Sequence, residues 1–228
     1  MFRKATICLM TLLAVLLLAL SAQAFSVRLS GFPGITQENC ATYCGAASCK
    51  MCCVWINTCT ASQTTIYNYC HSKNKESWYV DPQGLSWGLY NWTPSSPMHL
   101  YGHWHYGYKT GAIRGVCWTI EKYNEGVPVV IRSGAHWVVM RGFSSTMSVY
   151  NNYNYSGTLV NGVYVNDPLY SACGGYIGGW DTYVTASTFA TSYFNPVGSP
   201  HYTNRTSAER DATTQAACRY NNDNFTYY

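Results

Sequence analysis

Between Cys40 and Cys70 the chain carries seven cysteines: Cys40, Cys44, Cys49, Cys52, Cys53, Cys59 and Cys70. In a reducing compartment such crowding points to metal binding or catalysis, and in an oxidising one to covalent staples across short loops. The residues in front decide between these. Met1-Phe2-Arg3-Lys4 is a positive leader, Ile7 to Leu20 an apolar core, and Ala22-Gln23-Ala24 a small-x-small cleavage site. That is the build of a secretory signal peptide over residues 1–24, expected to be removed after Ala24. The apolar run is short for a membrane span. A secreted protein is therefore expected, extracellular, or periplasmic in a Gram-negative source. Of the eleven cysteines Cys8 leaves with the signal, and Cys117, Cys173 and Cys218 complete the ten that remain. Most should pair. The number is even, so one free thiol implies a second.

Composition removes other classes. With 47% hydrophobic residues, 11% charged, and 21 Tyr, 8 Trp and 7 Phe, the chain is too apolar and aromatic for a disordered one. The net charge of +4 falls to +2 once Arg3 and Lys4 are gone, and no basic cluster stands out, so no nucleic-acid partner is expected. No second long apolar run exists, so no membrane partner is expected after signal cleavage. One domain is expected over 25–200, followed by a polar tail over 201–228 that only Cys218 ties down.

Residues 25–39 read as an extended lead-in turning at Gly31-Phe32-Pro33-Gly34. Ala47, Met51 and Val54 or Trp55 recur at helical spacing, predicting a buried helix from Cys44 to Ile56, with a second helix over 60–72. The stretch 73–110 reads as aromatic surface loops with at most one short helix. Residues 116–123 have a helical pattern closed by Glu125-Gly126. Val127 to Ile131 and Ala135 to Phe143 read as strands, and Thr146 to Tyr150 and Gly162 to Asn166 as two more. Helices first and antiparallel strands later describe an α+β domain.

Thiol catalysis needs a thiolate, a base, and a group that orients the base. Thiolates are favoured at helix N-termini, and an imidazole both takes the proton and later delivers it to the leaving group. Cys44 opens the expected helix, and the small residues Gly45-Ala46-Ala47 leave its backbone open to a substrate carbonyl. Gln37, upstream, is placed to donate to an oxyanion. His136 begins an apolar strand. Asp167 follows another and is stopped there by Pro168. If the two strands are neighbours, Asp167 can accept the Nδ1–H of His136 and fix the tautomer. Asn166 is an alternative for that role, and Cys40 an alternative nucleophile that lacks the following glycine.

These residues carry a resemblance. Gln37-Glu38-Asn39-Cys40-Ala41-Thr42-Tyr43-Cys44-Gly45-Ala46-Ala47-Ser48 resembles the Gln-to-Cys-Gly-x-Ala block of papain-like cysteine peptidases. The branch it is most similar to is the stand-alone relatives of the double-glycine-leader (bacteriocin-processing) peptidases. Glu125-Gly126-Val127-Pro128-Val129, the strand Ala135-His136-Trp137-Val138-Val139-Met140-Arg141-Gly142-Phe143 and the pair Asp167-Pro168 resemble further blocks of that family, in its order. Ala46 stands where the family usually carries Pro. The resemblance covers about 37–57 and 116–170. It implies a papain-like α+β fold, an N-terminal helix carrying the Cys packed on an antiparallel sheet carrying His and Asp. It also implies a cysteine-type peptidase without cofactor, acting on a peptide or protein substrate, with Cys44 as nucleophile, His136 as base, Asp167 as orienting residue and Gln37 as oxyanion donor. The separation of His136 from Asp167 requires a long hairpin or an insertion through Asn151 to Asn161.

The alternative is an inactive, disulfide-stapled binding protein on the same fold, with Cys44 consumed in a bridge. His99, His103 and His105 form a cluster without a nearby carboxylate or spare thiol, so surface recognition by the neighbouring Tyr and Trp is the expectation over a metal. Sequons stand at Asn91, Asn154, Asn204 and Asn224.

Overall fold

The computed structural model describes residues 25–74, 76–93, 100–106, 109–132, 136–152, 159–171, 173–193 and 213–220. The expected signal peptide, His99 and the sequons at Asn154, Asn204 and Asn224 lie outside them. Strand β1 (Phe25–Arg28) leads into helices α1 (Cys44–Ile56), α2 (Gln63–Ser72) and α3 (Pro82–Trp92). Strand β2 (Leu100–Tyr106), helix α4 (Lys109–Tyr123) and strands β3 (Val127–Ile131), β4 (His136–Ser145), β5 (Val160–Asn166) and β6 (Thr182–Thr185) follow. The helical turn α5 (Ala186–Thr188) runs into a π-turn (Phe189–Tyr193), and β7 (Thr213–Tyr220) is the last element. No helix among the described residues is long and apolar enough to cross a membrane.

The helices start where their sequence says they should. Ser62 caps α2 by accepting from the Thr65 N–H at 3.1 Å. Asp81 caps α3 by accepting from the Gly84 N–H at 2.7 Å, with Pro82 in the first turn. Helix α1 differs: Tyr43 stands at its N-cap and no side chain caps it. Its first N–H groups are left for something else.

Every strand pairing is antiparallel, in the order β2-β7-β3-β4-β5-β6, with β1 added alongside β4. One edge of β4 is taken by β5. The other is shared: β3 covers it over His136–Met140 and β1 over Gly142–Ser145. Strands β3 and β4 are buried along almost their whole length, as strands covered on both faces are, and both α1 and α4 pack against them. This is the α+β arrangement expected, a cysteine-bearing helix on an antiparallel sheet that carries the histidine and, at the end of β5, the aspartate.

Three local expectations need correction, and one strand is added to those expected. Residues 146–150 form a turn rather than a strand. Glu121 of α4 takes the Ser148 hydroxyl and the Val149 and Tyr150 N–H groups, so this backbone bonds to a carboxylate and not to a ladder. The turn opens the insertion that separates β4 from β5. The stretch 73–110 is more ordered than loops, containing all of α3 and β2. Thr182–Thr185 pairs with β5 as an additional strand. Finally, residues 213–220 of the polar tail are a strand within the sheet, bonded to β2 on one side and to β3 at Val129↔Gln215 on the other.

Candidate active site

Cys44 is the first residue of α1, and the turn before it is built on Asn39. The Asn39 carbonyl accepts from the Thr42 and Tyr43 N–H groups at 3.3 and 3.1 Å, and its side-chain oxygen from the Ala41 N–H at 3.0 Å. Tyr43 is fixed in turn by stacking on Tyr67, ring centroids 4.8 Å apart, and by its hydroxyl at 3.3 Å from the Thr64 hydroxyl oxygen. Cys40 is bridged to Cys173, which removes it as an alternative nucleophile. Cys44 is half-buried and carries a free thiol. Gly45 also makes room for its neighbour: a Cβ there would stand 2.6 Å from the Cβ of Val80.

His136 opens β4 opposite Ile131 and is almost fully buried. Because β5 pairs with β4 at Val139↔Asn166, the chain leaving β5 passes beside the start of β4. Asp167, the next residue, meets the ring there. Its Oδ1 lies 2.8 Å from His136 Nε2. The expected contact was at Nδ1; the ring is turned the other way, and Nδ1 is the nitrogen left for Cys44, which lies near enough to raise the ring's pKa. Asp167 is fully buried and its acceptors are filled: Oδ1 also accepts from the Leu169 N–H at 3.0 Å, and Oδ2 from the Tyr176 and Ile177 N–H groups at 2.6 and 3.0 Å.

The electrostatics follow from these contacts. Burial of the imidazole opposes its charged form. The hydrogen bond to Asp167, then the hydrogen bond and charge of Cys44 and the charge of Asp167, overcome this and raise His136 to about 9. For Asp167, burial pushes upward. The hydrogen bond and charge of His136, with the Ile177 and Leu169 N–H groups, prevail and hold the carboxyl below its ordinary value.

Asn166 is excluded from the orienting role. Its amide donates to the Pro33 carbonyl at 3.0 Å and accepts from the Asp181 N–H at 2.7 Å, clamping two loops together. Gln37 is buried between the two halves of the site. Its backbone N–H donates to the Pro168 carbonyl at 2.8 Å, and its side-chain N–H to the Asn39 carbonyl at 2.8 Å. One amide hydrogen of Gln37 is thus spent on the turn before Cys44, and the second remains. Its Oε1 has no protein partner.

Two residues that sequence reasoning overlooked hold this arrangement. Gln63 on α2 is buried, donates to the Thr36 carbonyl at 2.7 Å and accepts from the Glu38 N–H at 3.0 Å, gripping the backbone on either side of Gln37. Tyr176 packs edge-on to the His136 ring at 5.1 Å, and the Arg132 guanidinium lies 3.9 Å over its own ring. Neither has a sequence signal, since each acts through a partner distant in the chain. His103 and His105 stand at alternate positions of β2, opposite Ala216 and Thr214.

No family model and no curated protein matches the chain. Among solved structures, it is similar to a candidate C39-like peptidase from Bacillus anthracis, with a TM-score of 0.49 and 13% identity over 86% of this chain and 100% of that one.

Proposed function

We propose that this protein is a secreted cysteine peptidase of the papain-like type, acting through Cys44, His136 and Asp167 with Gln37 as oxyanion donor. One observation carries this reading: the His136 ring is hydrogen-bonded to the buried Asp167 carboxylate on one side and neighbours Cys44, at the uncapped start of a helix, on the other.

The chemistry follows from the placement. His136 takes the Cys44 proton, and the sulfur attacks the scissile carbonyl carbon. The developing oxyanion takes the Cys44 backbone N–H and the second amide hydrogen of Gln37. The Nδ1–H of His136 then goes to the leaving amine as the carbon–nitrogen bond breaks, and an acyl-enzyme remains on Cys44. Water enters, loses a proton to His136 and expels the sulfur, which restores the starting state. Asp167 accepts the Nε2–H throughout and keeps Nδ1 aimed at the sulfur.

The test is alkylation of the native protein at mildly acidic pH, mapped by peptide mass spectrometry. At that pH an ordinary thiol is protonated and slow, whereas an ion-paired thiolate still reacts. Selective labelling of Cys44 that disappears in His136→Ala is the expected result. Equal labelling in both proteins, or hydrolysis of broad peptide substrates surviving Cys44→Ala, would overturn the reading.

A further inference from the structure

Behind the catalytic end of α1 four more thiols stand in a row. Cys49 and Cys53 occupy the same face of the helix, their sulfurs 3.8 Å apart. Cys59, from the loop after α1, is a neighbour of Cys53, and Cys70, from the last turn of α2, is a neighbour of Cys49. The contact of Cys49 with Cys70 depends on Gly88 of α3: a Cβ there would lie 2.4 Å from the Cys70 sulfur and 3.1 Å from that of Cys49. All four are buried. Cys52, although next to Cys53 in sequence, faces elsewhere and donates to the Gly126 carbonyl at 3.4 Å. Among the described residues no set of His, Cys, Asp or Glu is arranged to hold a metal ion.

We propose that this row matures into two disulfides, Cys49–Cys70 and Cys53–Cys59, while Cys44 stays reduced. The order of contacts along the row, Cys59, Cys53, Cys49, Cys70, selects this pairing. Joining Cys49 to Cys53 instead would bridge one helix to itself and strand a thiol at each end. The selected pairs tie α1 to α2 and to the loop between them, and so hold the helix that presents Cys44. This inference is separate from the peptidase reading and rests on the expectation of export.

Each bridge forms by exchange with an external disulfide, which is reduced to two thiols. Cys59, the outermost of the four, attacks that disulfide and releases one thiolate. Cys53 then attacks the Cys59 sulfur and expels the second. The Cys49–Cys70 pair, fully enclosed in the finished fold, exchanges in the same way while α1 and α2 dock.

The experiment is disulfide mapping of the exported protein, alkylated in denaturant without reductant. Trypsin cuts after Lys50 and so separates Cys49 from Cys53. Chymotrypsin cuts after Trp55 and Tyr67 and separates Cys53 from Cys59 and Cys59 from Cys70. Linked peptides joining Cys49 to Cys70 and Cys53 to Cys59 are expected, the latter assigned against Cys52 by fragmentation. Alkylation of all four, a Cys49–Cys53 link, or a stoichiometric zinc held by the four thiols would each overturn the pairing. The Cys40–Cys173 link in the same digest separates the causes. If it is intact while the four are alkylated, only the pairing fails; if it is open too, the expectation of an oxidising compartment falls with it. In Cys70→Ser a new alkylatable thiol should appear at Cys49 alone.

Discussion

Burial and hydrogen bonding pull the His136 ring in opposite directions, and hydrogen bonding wins. With the ring raised to about 9, kcat/KM should hold through neutral pH and fall as pH rises through about 9, where the imidazolium loses its proton. Stability has the same sign. A group whose folded pKa exceeds its unfolded value of about 6.5 stabilises the fold fully below that value, and the contribution disappears between there and about 9. Asp167→Asn tests the source of the shift. An amide could still accept the Nε2–H, but it brings no charge, and its NH2 would face the Tyr176 and Ile177 N–H groups that Oδ2 now satisfies. The alkaline limb should move to lower pH and kcat should drop by about 10²–10⁴-fold; an unchanged pH–rate profile would sink the role given to Asp167. Gly45→Ala forces a methyl against Val80, and thermal unfolding should report a loss of about 1–3 kcal/mol. At this scale the sequence was readable for identities and not for atoms. Cys44, His136 and Asp167 stand out by their neighbours in the chain. Which imidazole nitrogen faces which partner depends on how β4 sits beside β5, and that no local pattern encodes.

Elements were legible where their own periodicity defines them. Helix α1 has the expected bounds because Ala47, Met51 and Trp55 share a stripe, and β3 and β4 because runs of Val and Ile suit strands buried on both faces. Strand β2, Leu-Tyr-Gly-His-Trp-His-Tyr, has no such signature, and its order comes from pairing with a segment over a hundred residues away. Thr146 to Tyr150 misleads in the opposite sense. Its composition suits a strand, but Glu121 captures its N–H groups first. Glu121→Ala should therefore loosen the turn, seen as faster amide exchange at Val149 and Tyr150 with the Cys44 site unaffected. Gln63 is the sharper test. Removing its side chain leaves the Thr36 carbonyl and the Glu38 N–H without partners in a part-buried segment, at a cost of about 1–3 kcal/mol. Gln63→Ala should also lower kcat more than it raises KM, because the segment it grips carries Gln37. Equal stability and activity in this variant would remove Gln63 from the site's support.

Across the whole molecule, the sheet is closed in sequence order only at its β3–β4–β5–β6 end. At the other end β7, nearly the last stretch of chain, inserts between β2 and β3. A chain ending at residue 200 should expose the edges of β2 and β3 together, and loss of soluble protein is the expected readout. Composition alone set this stretch apart as a tail, since Thr-Thr-Gln-Ala-Ala-Cys-Arg-Tyr has no apolar alternation to reveal a strand.

The bridge from Cys40 to Cys173 joins two loops far apart in sequence, the one that turns into Cys44 and the one whose N–H groups hold Asp167. The two halves of the proposed catalytic line are thus fastened by the same element, sulfur, that must stay unfastened at Cys44 for the proposed chemistry. A cysteine peptidase of the proposed kind, built this way, has a working range of redox potential with two limits. Too oxidising a medium caps the nucleophile, and too reducing a one releases the loops that aim it. Titrated with a dithiol, its activity should rise and then fall, and Cys40→Ser/Cys173→Ser should lack the part of the fall that belongs to this bridge.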